Sequence, residues 1–138
     1  GNRAIQGVWE SYGNKAGHIF FNMSSIRSFI GSGTILSATI TLTRRNAGGY
    51  SSATNIYLNG SSVSSASGTP SYSHHTHIGS LSWGEKKTFT VPNSIMLNIK
   101  NGISNSLACY SNSYSSSYAE IVAATLTIKV EKPTLIIS

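Results

Sequence analysis

A chain of 138 residues has the length of one domain and is long enough to bury a core without staples. Ten Lys plus Arg stand against four acids, all Glu, for a net charge of +6; with no Asp at all, an Asp-oriented catalytic triad, a paired-carboxylate site and an Asp-rich calcium loop are harder to build. The single cysteine, Cys109, rules out an internal disulfide and a multi-thiolate zinc site, and no apolar run approaches the ~20 residues of a membrane span, so membrane insertion is not expected.

In chain order, Ala4-Ile-Gln-Gly-Val-Trp-Glu10 and His18-Ile-Phe-Phe-Asn22 read as two strands joined through a Gly- and Asn-bearing turn over residues 11–17. Residues 23–31 predict one or two helical turns, with Ser24 or Ser25 as cap, Ile26, Phe29 and Ile30 on one side and Gly31 as stop. Leu36-Ser-Ala-Thr-Ile-Thr-Leu-Thr43 follows, with Leu36, Ala38, Ile40 and Leu42 on alternate positions, the period of a half-buried strand. After a loop over 44–52, Thr54–Asn59 returns as a strand. The stretch 61–77, rich in Ser, Gly, Thr and His, offers little to a core. Lys87–Val91 is a short strand ended by Pro92, and Asn93–Gly102 predicts a second short helix capped at Asn93 or Ser94, with Ile95, Met96 and Ile99 at helical spacing. Ser104–Tyr110 reads as a strand with Leu107 and Cys109 on one face, residues 111–118 as a polar loop. Val122-Ala-Ala-Thr-Leu-Thr-Ile-Lys129 then repeats the 36–43 pattern, with Val122, Ala124, Leu126, Ile128 and Val130 on one face.

About eight short strands split by Ser/Gly/Asn turns, with one or two short helices, predict an all-β fold: a jelly-roll-like antiparallel β-sandwich in one domain, 1–138. The chain opens on Gly, and we expect it to be the C-terminal part of a longer protein; the apolar Leu135-Ile-Ile137 tail predicts a covering partner chain or a following domain.

The order Ile19-Phe-Phe-Asn22, Ser25-Ile-Arg-Ser-Phe-Ile-Gly31, Ile35-Leu-Ser-Ala-Thr-Ile-Thr-Leu-Thr-Arg-Arg45, Trp83, Phe89-Thr-Val-Pro-Asn-Ser94 and Ala123-Ala-Thr-Leu-Thr-Ile128 resembles phage tail-fibre and minor tail protein domains, and more widely the jelly-roll modules of extracellular carbohydrate-associated proteins. The resemblance covers roughly residues 15 to 131 and is one of strands and spacers. It implies a receptor-binding head at the tip of a virion's tail fibre, homotrimeric and directed at a bacterial surface polymer. A carbohydrate-binding module of a secreted or wall-associated protein and a structural fibre-trimerisation domain are the alternatives.

Tyr50, Tyr72, Tyr110, Tyr114 and Tyr118 fall in or beside loops, where a flat ring with a hydroxyl edge suits a sugar; Arg44 and Arg45 at a strand end can grip phosphate or carboxylate. Together they point to a bacterial surface polysaccharide or teichoic acid, against a reading in which the rings pack on loop bases and the arginines are solvated. His74-His-Thr-His77 places His75 and His77 on one side of an extended segment. In a trimer of the kind the resemblance implies, they would offer a metal ion imidazoles at the axis, the competing reading being a polar loop; no other cofactor is expected. His18, in a strand, is assigned a structural part, and Trp9, Trp83, Phe20, Phe21 and Phe89 are assigned to the core. Glu10 and Glu120 are the one carboxylate pair to weigh for glycoside hydrolysis, but one charge on each strand's wet face is ordinary, and no enzymatic activity is expected. The basic residues are scattered in runs no longer than two, so nucleic acid is not an expected partner.

Overall fold

The computed structural model describes residues 4–8, 14–46, 53–64, 72–110 and 119–132, with side chains for 18–46, 53–64, 76–109 and 119–132. Among the described residues the order is β1 (Ala4–Val8), β2 (Asn14–Ile19), α1 (Met23–Ile30), β3 (Thr34–Arg44), β4 (Thr54–Ser61), β5 (Tyr72–Leu81), β6 (Lys86–Thr90), α2 (Asn93–Lys100), β7 (Ser106–Tyr110) and β8 (Ala119–Glu131). Every pairing is antiparallel. The first strand pairs with the last, the second with the seventh, the third with the sixth and the fourth with the fifth. Such nesting is a long hairpin of strands rolled up, and β3 with β8 and β4 with β7 close the roll. Two four-stranded sheets result, β1-β8-β3-β6 and β2-β7-β4-β5, joined where β1 pairs with β2. This is the jelly-roll sandwich expected from the alternating strands.

The two look-alike segments are the central strands of one sheet and pair with each other, Ala38 opposite Ile128, Ile40 opposite Leu126 and Leu42 opposite Ala124. Ala38, Ile40, Leu42 and Ala124 are buried, with Leu126 and Ile128 packed at the margin of the core. Their outer faces are threonines, Thr39 beside Thr127 and Thr90, Thr41 beside Thr125 and Thr88. Leu36 and Val122 depart from the simple alternation. The register slips between Ile35 and Ser37 and again between Thr43 and Arg44, which leaves Leu36 and Val122 as the extra residues of two bulges. Leu36 is 60% exposed and Val122 is exposed as well.

The stretch 61–77, expected to offer little to the core, contains the start of β5 from Tyr72 onward, paired along its length with β4. β5 and β6 are the outer strands of the two sheets, and they meet where the Phe89 ring lies against Gly79. A Cβ at Gly79 would stand 2.5 Å from the ring, and its φ of +150° is one that side chains rarely adopt, so a glycine is required where the sandwich closes.

Because neighbouring strands run oppositely, the β2–β3 and β6–β7 connections lie at one end, and these are the two helices. The α1 cap is Asn22, whose Oδ1 accepts the Ser25 N–H at 3.0 Å, one turn ahead of the expected serines. Gly31, at φ +52°, ends the helix as expected, its N–H donating to Arg27 O. The buried side of α1 is Met23 and Ile30 with Ile26 beside the core, whereas Phe29 is about half exposed. Helix α2 buries Ile95, Met96 and Ile99 as expected, but its cap position is Pro92, without a side-chain bond. The two helices are tied to each other by charge. Arg27 of α1 donates to Ile99 O at the end of α2, to Ser104 O and to Asn105 Oδ1, while Lys100 of α2 donates to Gly33 O just beyond α1.

Candidate functional site

On β2-β7-β4-β5, residues facing inward are aliphatic: Ile19, Ile56, Leu58, Leu81, Leu107 and Cys109 are all buried. The opposite face is aromatic and polar. Tyr57 on β4 and its partner His77 on β5 hold their rings 5.4 Å apart at an interplanar angle of 41°; Tyr57 is half-buried and His77 exposed. Asn55, exposed, and its partner Ser80 extend the same pair of rows toward the strand ends. At the other edge His18 stacks on Phe20, with centroids 5.8 Å apart and planes within 13°. Of the tyrosines singled out from sequence, Tyr110 is the backbone partner of Ala16 and lies one residue beyond the Leu58–Cys109 pair, in the row of Tyr57 and His77; Tyr72 is the partner of Ser61 in the same sheet.

Between these two edges runs β7, where two positions on the same side, Ser106 and Ala108, are small and fully buried. Ala108 and Ser106 let His18 reach from β2 across to β4, where its Nε2 lies 2.9 Å from Ser61 Oγ. A serine–histidine contact is the geometry of an activated nucleophile. Here Ser61 has no accessible surface, so its oxygen cannot meet a substrate carbonyl and the contact is a structural bridge. Burial pushes the His18 pKa below its ordinary value. The unfolded chain then takes up the proton first on acidification, so this contribution to stability is complete above the ordinary histidine range and falls as pH drops through and below it. The urea midpoint is expected to fall between pH 7.5 and pH 5, and to fall less in His18→Gln; an unchanged slope in that variant would remove His18 as the cause.

Arg44 is fully buried, and its Nη1 donates to Leu81 O at 2.7 Å, so the guanidinium expected to grip an anion is engaged inside the fold. The alternation that makes Ala38, Ile40 and Leu42 inward also makes Arg44 inward, and desolvation there lowers its pKa from the usual arginine value. Arg45 is about half exposed and bonded through Nη1 to Glu120 Oε2 at 2.9 Å, Glu120 being 3% exposed. Its own N–H also donates to Glu120 O. Glu120 is therefore a buried partner of Arg45 rather than a wet-face carboxylate. Glu10, Trp9, Tyr50, Tyr114 and Tyr118 lie outside the described residues, as do the side chains of Tyr72, His75 and Tyr110. Trp83, expected in the core, is 37% exposed in the turn between β5 and β6, whereas Phe89 is buried and Phe20 and Phe21 are partly so. No group of three or more His, Cys or acidic residues suited to a metal ion occurs among the described residues.

No family model, curated protein or solved structure matches the chain. The chemistry of the face therefore has to be judged from its own groups. Two neighbouring rings with the exposed amide of Asn55 and the partly buried Ser80 alongside can stack on the C–H face of a pyranose and hydrogen-bond its rim. A cleft of about 320 Å³ at the helical end, lined by Ile35, Leu36, Val91, Pro92 and Met96 together with Ser37, Thr90 and Asn93, offers neither aromatic rings nor charge. Cys109, buried with its thiol pKa pushed up to about 12, brings no nucleophile to either place. Tyr57 escaped the sequence reading because it sits inside a strand rather than a loop; its signal is its place two residues from the exposed Asn55, on the same side of the Thr54–Asn59 strand.

Proposed function

We propose that this chain is a non-catalytic glycan-binding domain, the receptor-binding head of a phage tail fibre, acting as a homotrimer on a bacterial surface polymer. The observation that carries the reading is the Tyr57–His77 pair on the outer face of β2-β7-β4-β5, in the row to which register also assigns Tyr110. The order of parts in the sequence supports the phage setting: strand, Ser-Ile-Arg helix, Ala-bearing strand, Val-Pro-Asn-Ser helix, matching strand. A shallow two-ring face binds a sugar weakly, and three copies on one axis multiply it into useful attachment by avidity. Sedimentation of the protein with intact bacterial walls tests the reading. Tyr57→Ala is expected to lower retention at least tenfold, with His77→Ala as a second variant at an exposed position where folding is not at issue. Retention unchanged in both, with unchanged melting, would refute it; a monomer that still binds would make the same face a carbohydrate-binding module.

A further inference from the structure

The net charge of +6 looks at first like the footprint of an anionic ligand. The structure distributes that charge otherwise. Arg27, Arg44, Lys87, Lys100 and Lys132 each donate to a backbone carbonyl, of Ile99 and Ser104, Leu81, Ser80, Gly33 and Phe29 respectively. Arg45 is held by Glu120. Six of the ten basic residues are thus engaged within the fold, tying strand ends and helix ends together. The strands divide the remaining charge unevenly. β1-β8-β3-β6 contains Arg44, Lys86, Lys87, Glu120, Lys129 and Glu131, whereas β2-β7-β4-β5 contains Lys15 and no other Lys, Arg, Asp or Glu.

We infer that the ligand of the Tyr57–His77 face is a neutral saccharide chain, recognised by ring stacking and hydroxyl hydrogen bonds and not by charge. The inference rests on the glycan-binding reading above and narrows its ligand. A phosphate or uronate pressed against the Tyr57 and His77 rings would lose hydration, and among the described residues the strands of this sheet carry no Lys or Arg besides Lys15 to compensate it. Lys87, on β6 of the other sheet, donates to Ser80 O at 3.1 Å and lies 5.7 Å from the Phe89 ring centroid. A neutral pyranose meets no such penalty, and its apolar C–H face is what an aromatic pair covers best.

The test uses the whole chain at pH 8 on bacterial walls before and after extraction of teichoic acid, on a panel of soluble neutral glucans, mannans and chito-oligosaccharides, and on polygalacturonate. Retention that survives extraction and changes less than twofold between low and high salt is the expected result. It should be lost in His77→Ala and Tyr57→Ala and kept in Lys129→Ala. Retention that disappears with the teichoic acid, or that is confined to polygalacturonate and falls with salt, would overturn the neutral ligand and leave the glycan reading standing. Absence of retention on every wall and every glycan would overturn the glycan reading itself.

Discussion

Ile40→Ala is expected to destabilise the protein by about 2–5 kcal/mol, while Leu36→Ala, a loss of similar apolar bulk four residues earlier in the same strand, costs under about 1 kcal/mol. The contrast comes from the bulge between Ile35 and Ser37. Ile40 has no accessible surface and faces Leu126 across the strand pair and Phe89 on the other side, so its truncation leaves a hole bounded by packed neighbours. Leu36 is the unpaired extra residue and is mostly in water already. Urea unfolding of both variants measures the difference directly. Equal losses would mean that Leu36 lies in the core, as unbroken alternation would have it, and would remove the bulge.

The same pair of residues shows what an amino-acid sequence reveals of this fold and what it conceals. Alternation is a local property, and it identifies β3 and β8 because a strand with one wet and one dry face must repeat every second residue. A bulge depends on which residue of the partner strand lies opposite, so nothing within residues 36–43 announces it. β5 was hidden for a related reason. Its ten residues contain few large aliphatics, Ile78 and Leu81, and it is held as an outer strand by its backbone ladder to β4, to which composition is blind. Arg44 was hidden by the opposite error, since alternation points it inward and only the expectation that arginine stays wet argues otherwise. Of the candidate residues read from sequence, the rolled topology places Tyr72, Tyr110 and His77 in one sheet, though Tyr110 is distant from the other two in the chain, and puts Arg44 at the end of β3 in the other, with Arg45 just beyond it. That sorting needs the strand order.

Arg27→Ala is expected to cost about 3 kcal/mol, a large loss for a side chain that is not fully buried. Its guanidinium makes charge-assisted bonds of 2.8, 2.8 and 2.9 Å to Ile99 O, Ser104 O and Asn105 Oδ1. Ile99 O is among the terminal carbonyls of α2, which have no partner within the helix, and a cation there also opposes the negative end of the helix dipole. Asn105 in turn donates through Nδ2 to Ser62 O and through its own N–H to Ser61 O, so one arginine joins α1, the end of α2 and the end of β4. Arg27→Lys should recover less than half of the loss, because an ammonium is a point donor and cannot reach the three acceptors from one plane. Thermal or urea unfolding of the two variants gives the ranking, and glycan retention by the folded fraction should be unchanged in both, since Tyr57 and His77 lie in the middle of β4 and β5 and not at the end that carries the helices. If both variants instead matched the parent in stability, Arg27 would not be the tie between the helices. The Ser-Ile-Arg segment on which the resemblance to tail-fibre domains partly rests is, on this account, a device for closing the helical end of a jelly roll, a part in stability that involves no ligand.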